Sequence, residues 1–161
     1  MSYQNTTLKK YLEQLASRTP TPGGGSAAAL TAALGVCLIE MVAQYSKKKN
    51  KPKRYNQRIA NILKKAKDIR KRLGKLVDLD ARAYMKVVKT RGAKPAVRKK
   101  ALKAASDIPL EVCQLCYQSV DLTTFLALEG NKNLISDIEV ALELLLAAFK
   151  SARINVHINQ T

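Results

Sequence analysis

A chain of 161 residues with 47% apolar content is long enough to bury one core and too apolar to be disordered. Aromatic residues supply only 5% and Trp is absent, while Ala and Leu abound, which argues against a β-sandwich and for packed helices. The net charge of +17 would draw nucleic acid, a membrane surface or a polycarboxylate substrate to the protein; a solvated basic helix face is the plainer reading of it.

Leu8, Tyr11, Leu12 and Leu15 recur at helical spacing, with Thr6 or Thr7 placed to cap a first helix. Pro20-Thr-Pro-Gly-Gly-Gly-Ser26 ends it, and a second helix is expected over Ser26–Tyr45, with Ser26 as its N-cap. That helix is apolar enough to suggest a membrane span. Glu40 and Gln44 interrupt it, however, and its Ala27–Ala29 and Ala32-Ala33-x-Gly35 bands suit a buried central helix instead. The basic stretch 47–54 with Pro52 reads as a loop. A long third helix follows from Ile59 to Val88, weakened midway by Gly74. Arg91-Gly-Ala-Lys-Pro95 breaks it. A fourth helix is expected from Ala96 to Glu129, kinked at Pro109 and closed by Gly130 at C′. A fifth, capped by Asn133 or Ser136, runs through Arg153; the tail 155–159 fits no class. The expected fold is therefore an all-α bundle of about five helices, with a central helix rich in small residues and one or two long kinked helices.

Three cysteines without a secretory leader point to a reducing cytoplasm. Cys113 and Cys116 have metal-like spacing, but they fall in an apolar helical pattern and read as core thiols, so no metal is expected. Fourteen of the 29 cations lie between Lys47 and Lys75, where Asp68 is the sole acid.

Four polar positions interrupt otherwise apolar or basic stretches. The first is Gly23–Ser26, where glycines and a helix N-terminus could receive an anion or polar group. The second is Lys49, just past the central helix. The third is Asp78-Leu-Asp80 on the long helix. The fourth is Ser136-Asp137, with Asn155 and Asn159 at the far end of the last helix. Asp78 and Asp80 point about 160° apart on a helix. Asp80 shares the spacing of Leu73, Leu76, Val77, Tyr84 and Val87, so it is the expected buried carboxyl, suited to proton transfer, and Asp78 is expected to face away. A structural ion pair with a cation such as Lys49 is the alternative reading of Asp80.

Taken together, these residues resemble the cyclodeaminase domain of the formiminotransferase-cyclodeaminase family and its stand-alone bacterial relatives, methenyltetrahydrofolate cyclohydrolases included. The resemblance runs from Leu8 to Asn159. It rests on residues 20–26, Met41-Val-Ala43, Val77-Asp-x-Asp-Ala-x-Ala-Tyr84, Ile108-Pro-Leu110, Gly130-Asn131, Ser136-Asp-x-x-Val-Ala141 and Asn155-Val-x-Ile-Asn159. Glu40, Lys47-Lys48 and His157 depart from the family pattern, and the family's further C-terminal helix lies outside residues 1–161.

The resemblance implies a single helical domain that forms a homodimer and binds a tetrahydrofolate derivative as substrate. The implied reaction is conversion of 5-formiminotetrahydrofolate to 5,10-methenyltetrahydrofolate and ammonia, or alternatively hydrolysis of the methenyl compound. It implies Asp80 as the acid/base, with Lys49 at the position of the family's lysine. It implies Gly24, Gly25, Ser26, Asn131, Ser136, Asp137 and Asn155 as substrate-binding residues. The basic stretch would then meet a polyglutamylated folate tail. A non-catalytic helical module binding RNA or an acidic partner through Lys47–Lys75 is the rival reading, and it needs neither the glycines nor Asp80.

Overall fold

The structure, a computed structural model, describes residues 2–160. Five α-helices account for almost all of them: α1 Leu8–Leu15, α2 Gly24–Tyr45, α3 Lys53–Lys89, α4 Pro95–Glu129 and α5 Ile135–Gln160. Short 3-10 turns at Tyr3–Asn5 and Lys132–Leu134 complete the described residues, which contain no strand. The expected all-α bundle is what forms.

α2 packs against α3, α4 and α5 and is the centre of the bundle. Its small residues allow this, since Ala28, Ala29, Ala32 and Ala33 are all buried. A Cβ on Gly35 would lie 3.0 Å from the Ala141 carbonyl oxygen, so α5 approaches closely only because none is present. By length and hydropathy α2 could cross a membrane, yet 56% of its most apolar window is buried inside the bundle. Glu40, which interrupts the apolar run, is matched across the α2–α3 contact by Arg70 Nε at 2.6 Å.

The far end of α2 is tied down by buried Ser46. Its hydroxyl donates to the Val42 carbonyl at 2.7 Å and accepts from the Asn131 N–H at 3.0 Å. Tyr55 donates its hydroxyl to the Ser46 and Glu129 carbonyls, at 2.9 and 3.1 Å. One tyrosine thus joins the ends of α2 and α4 to the start of α3.

Several local expectations change. α2 starts at Gly24, with Gly23 in the cap position and extended, so Ser26 is not the N-cap. Thr7 does cap α1, accepting from the Lys10 N–H at 3.2 Å. Within α1 only Tyr11 is buried, and Leu8 and Leu12 remain exposed. α3 begins at Lys53, inside the expected loop, and runs unbroken through Gly74. Pro109 lies within α4, and Gly130 ends that helix in an extended rather than left-handed conformation. The unclassified tail 155–159 is the last part of α5.

The largest correction concerns Asp78. It is buried, not solvent-facing. Its carboxylate accepts from the Ser2 hydroxyl at 2.6 Å, the Tyr3 N–H at 2.5 Å and the Gln4 amide at 3.2 Å. Burial alone would raise its pKa, but these donors outweigh it and the pKa falls below the ordinary value. Asp78 is the anchor of the N-terminal segment.

Candidate active site

The first turn of α2 meets α3 at Asp80. A Cβ on Gly25 would lie 2.6 Å from Asp80 Cγ, so the carboxyl rests directly against the glycine backbone. The Ser26 N–H donates to that carboxyl. The anion receptor read from the glycine run and helix N-terminus is therefore filled, at least in part, by the chain's own Asp80. Burial drives the Asp80 pKa up, and the Ser26 hydrogen bond offsets only part of that rise.

Asp80 lines a cavity of about 290 Å³. Loop residue Thr21 and Gly24 and Gly25 of α2 form one wall, and Tyr84, one turn on from Asp80, forms another. Asn155 on α5 closes the far side, next to Gly24. Asn159, one turn further along α5, lines the same space. Asp80 is the one carboxyl among the lining residues. Behind it, the buried Ser26 hydroxyl and the Tyr11 hydroxyl are 3.1 Å apart. Burial raises the Tyr11 pKa, the Ser26 contact lowers it, and the nearby Asp80 raises it further. A phenol held neutral beside a carboxyl keeps its proton available for hydrogen bonding.

The expected site residues divide between two ends of the bundle. Gly24, Gly25, Ser26, Asp80 and Asn155 come together as described. Lys49, Asn131, Ser136 and Asp137 do not join them. Lys49 is exposed in the turn after α2, a helix of 22 residues that begins at Gly24. At 1.5 Å per residue, Lys49 and Asp80 are thus about 30 Å apart within one chain. Asn131 caps the Lys132–Leu134 turn, accepting from the Asn133 N–H at 3.1 Å. Ser136 and Asp137 lie in the first turn of α5, and the helical rise puts them about 28 Å from Asn155. An ion pair between Asp80 and Lys49 inside one chain is excluded by this placement.

Thr21 and Tyr84 also line the cavity, and Tyr11 backs it. Tyr84 carried a signal, since it follows Asp80 by four positions on a helix. Tyr11 and Thr21 carried none, because only tertiary packing brings them there.

A larger cavity of about 660 Å³ opens at the other end of the molecule, among Lys51, Arg54, Tyr55, Arg58 and Phe125. It lacks a buried carboxyl of the Asp80 kind and belongs to the basic surface. In that stretch Arg70 is paired with Glu40, and Arg72 with Glu111 at 2.5 Å. Cys113 and Cys116 are buried and Cys37 is exposed. The Cys116 thiol is pushed up to about 12, by burial first and by Cys113 second. No group of three or more His, Cys, Asp or Glu side chains fit to hold a metal occurs among the described residues.

The sequence profile of the formiminotransferase-cyclodeaminase family matches residues 7–161. The chain is 35% identical to a methenyltetrahydrofolate cyclohydrolase of Methylorubrum extorquens, over 96% of this chain and 79% of that protein. It is 29% identical to a formimidoyltransferase-cyclodeaminase of Mus musculus, over 98% of this chain but 31% of that longer protein. A solved structure of formiminotetrahydrofolate cyclodeaminase from Thermotoga maritima superposes with a TM-score of 0.93 at 32% identity, covering 97% of this chain and 79% of that one.

Proposed function

Because the chain belongs to the formiminotransferase-cyclodeaminase family and is a folate-dependent one-carbon enzyme, we propose that Asp80 carries the proton in closure of 5-formiminotetrahydrofolate to 5,10-methenyltetrahydrofolate. The observation that supports this reading is a single carboxyl of raised pKa, held against a glycine backbone and open to a cavity. In the reaction, N10 attacks the formimino carbon held on N5, and a new C–N bond forms. With the formimino group in its protonated amidinium form, Asp80 takes the N10 proton and delivers it to the formimino nitrogen, whose bond to carbon breaks as ammonia leaves and the positive charge stays on the methenyl bridge. A raised pKa suits a group that must both accept and return a proton. Gly24, Asn155 and Asn159 present the polar groups that would orient the folate ring system in the cavity. The reaction as drawn needs no metal.

The relative at 35% identity favours a second reading, hydrolysis of the methenyl bridge. Water then attacks the cationic bridging carbon and Asp80 takes one of its protons; Asp80 returns that proton to N5 as the carbon–N5 bond breaks, and the carbinol loses its O–H proton to solvent as the 10-formyl product forms. Near-UV absorbance of 5,10-methenyltetrahydrofolate separates the two. Its appearance from the formimino substrate supports cyclodeamination. Its loss faster than in buffer supports hydrolysis. Absence of both changes overturns the folate reading.

The second group of site residues points to a homodimer. Along α2, Leu34 and Tyr45 are 51% and 65% exposed, and Ala27, Leu30, Leu38 and Met41 on the same stripe are only half-buried. A two-fold axis perpendicular to this stripe would pair α2 with its copy in antiparallel fashion. With the stripe's midpoint near Val36, Gly23 then faces Lys49 of the partner subunit. The lysine expected beside Asp80 would come from the second copy. Leu34→Asp should yield monomers in sedimentation and cut turnover; a fully active monomer would remove the dimer from the reading. Three unpaired cysteines, two of them buried, support a reducing cytoplasm as its compartment.

A further inference from the structure

Two cavities between α3 and α4 run into one another. The first, of about 660 Å³, and the second, of about 370 Å³, share Arg58, Asn61 and Phe125, so they form one trough. Arg58 is about 33 Å from Asp80 along α3. The two walls of the trough differ in chemistry. On α3, Arg54, Arg58, Asn61 and Lys65 stand at i, i+4, i+7 and i+11, one stripe about 17 Å long. Lys51 extends this wall at one end, and Lys64 flanks it towards the other, where Asp68 closes it. On α4, Asp121, Phe125 and Glu129 stand at i, i+4 and i+8, with the ring between the two carboxylates.

The cations of the trough keep their charge. Among the described residues the ion pairs are Lys9–Glu13, Arg70–Glu40 and Arg72–Glu111, and none uses a trough cation. Two of the cations lie over rings instead. Lys51 Nζ is 5.3 Å from the centre of the Tyr55 ring, and the Arg58 guanidinium is 5.9 Å from that of Phe125. A ring holds a cation in place without neutralising it.

We propose that this trough binds single-stranded nucleic acid, a function separate from the folate chemistry at Asp80. The α3 stripe supplies a row of cations for successive phosphates. Phe125 and the Arg58 plane supply a surface on which a base stacks, and Asp121 and Glu129 accept from base amino groups. A strand has its phosphates on one side and its bases on the other, as the two walls require. A duplex keeps its base faces stacked inside and offers none to Phe125. A membrane surface is flat and meets the rim of a trough rather than its floor.

The test follows the fluorescence anisotropy of a labelled short oligocytidylate titrated with the full chain. Affinity should fall with salt, by a logarithmic slope of about 0.7 for each phosphate neutralised. An abasic oligomer of the same length and charge should bind about tenfold more weakly, because stacking of one base is lost. Arg58→Gln with Lys64→Gln and Lys65→Gln should raise Kd by on the order of tenfold and lower the salt slope by about 2. Lys64→Gln with Lys65→Gln is the milder form, on two exposed side chains, should the triple variant lose its far-UV helicity. Arg98→Gln with Lys99→Gln and Lys100→Gln removes the same charge near the start of α4, about 35 Å from Asp121, and should leave Kd within about twofold. No binding of the oligocytidylate at low salt overturns the inference, as does binding of phosphatidylserine vesicles in its place. Equal affinity for the abasic oligomer overturns the assignment to nucleic acid. Equal losses in the two triple variants overturn the assignment to this trough. The folate reading stands apart from all of these outcomes, since it is tested by turnover.

Discussion

Asp78 and Asp80 stand two positions apart on α3, and their surroundings treat a carboxyl in opposite ways. Asp78 faces the N-terminal segment, where a hydroxyl, a backbone N–H and a side-chain amide all donate to it. These donors, with the Gln4 N–H as a fourth, make the ionised form the comfortable one, and its pKa falls. Asp80 faces the glycine turn of α2, where burial outweighs the one donor, the Ser26 N–H, and its pKa rises. A carboxylate with its lone pairs satisfied holds structure together. One short of partners and open to a cavity is left with chemistry to do. Solvent exposure by itself would mislead, since Asp78 exposes less surface while Asp80 lies deeper among protein atoms.

The comparison breaks most sharply at Asp80. Asp80→Asn keeps the shape and the acceptor for the Ser26 N–H but removes the titrating group. Turnover of the folate substrate should fall by about 10²–10⁴-fold, the usual range for a general acid–base residue. Stability should move the other way. A carboxyl whose folded pKa is raised binds more protons folded than unfolded, so its contribution is present at low pH and lost as pH rises from 3.8 through the folded value. Above its folded pKa the ionised Asp80 is a cost, and there thermal melts of the Asn variant should match or exceed the parent. A variant that keeps near-full turnover would dissolve the distinction between the two residues.

Gly25→Ala sharpens the same comparison without touching a carboxyl. The added Cβ would fall within 2.6 Å of Asp80 Cγ, so either the side chain or the helix end must shift. A displacement of about 1 Å at the reacting group can cost roughly 10²-fold in rate. Overpacking at this point should also destabilise by about 1–3 kcal/mol. Gly23→Ala is the control, since nothing lies within 4 Å of a Cβ there. Equal losses in both variants would mean that loop flexibility, rather than room for Asp80, explains the glycines.

How far the sequence reveals this arrangement depends on the range of each interaction. Helix periodicity and caps are local, so five helices and the Thr7 cap are legible, with boundaries off by a few residues. Asp80 is legible as an inward-facing carboxyl because it shares a stripe with Leu73, Leu76 and Val77, although it is half-buried at the cavity rather than fully enclosed. Asp78 was not, because that argument gives α3 a single buried face. The Tyr3–Asn5 turn covers a second face, and nothing in the pattern of α3 announces a partner 75 positions away. Asn155 and Asn159 looked like an irregular tail because a short polar segment has no period to read, yet they form the last turns of α5 and line the cavity. Lys49 follows α2 directly in the sequence, but a helix of 22 residues carries it to the opposite end. Sequence neighbours of a long helix are distant in space, and only a second copy reverses that.

The smallest expected change in turnover, and the clearest change in stability, is at Asp78. In Asp78→Asn the side chain can still accept from the Tyr3 N–H, but its amide group now confronts the Ser2 hydroxyl and the Gln4 amide. Charge-assisted bonds become neutral ones, and one donor is left opposite another. The cost should be about 1–3 kcal/mol, read as a lower denaturant midpoint. Here the pH dependence has the opposite sign to that of Asp80. A folded pKa below 3.8 gives stability that is present above that value and lost as pH falls through the folded one. The parent should therefore lose its advantage over Asp78→Asn on acidification, and the two denaturation curves should converge well below pH 3.8. Turnover of the folded variant should drop less than about tenfold, because Tyr3, bonded through its hydroxyl to Thr21 of the cavity wall, loosens while Asp80 stays in place. If Asp78→Asn were instead the variant with crippled turnover and an unchanged midpoint, the roles of the two aspartates would have to be exchanged. Proton transfer would then belong to the face of α3 under the N-terminal segment.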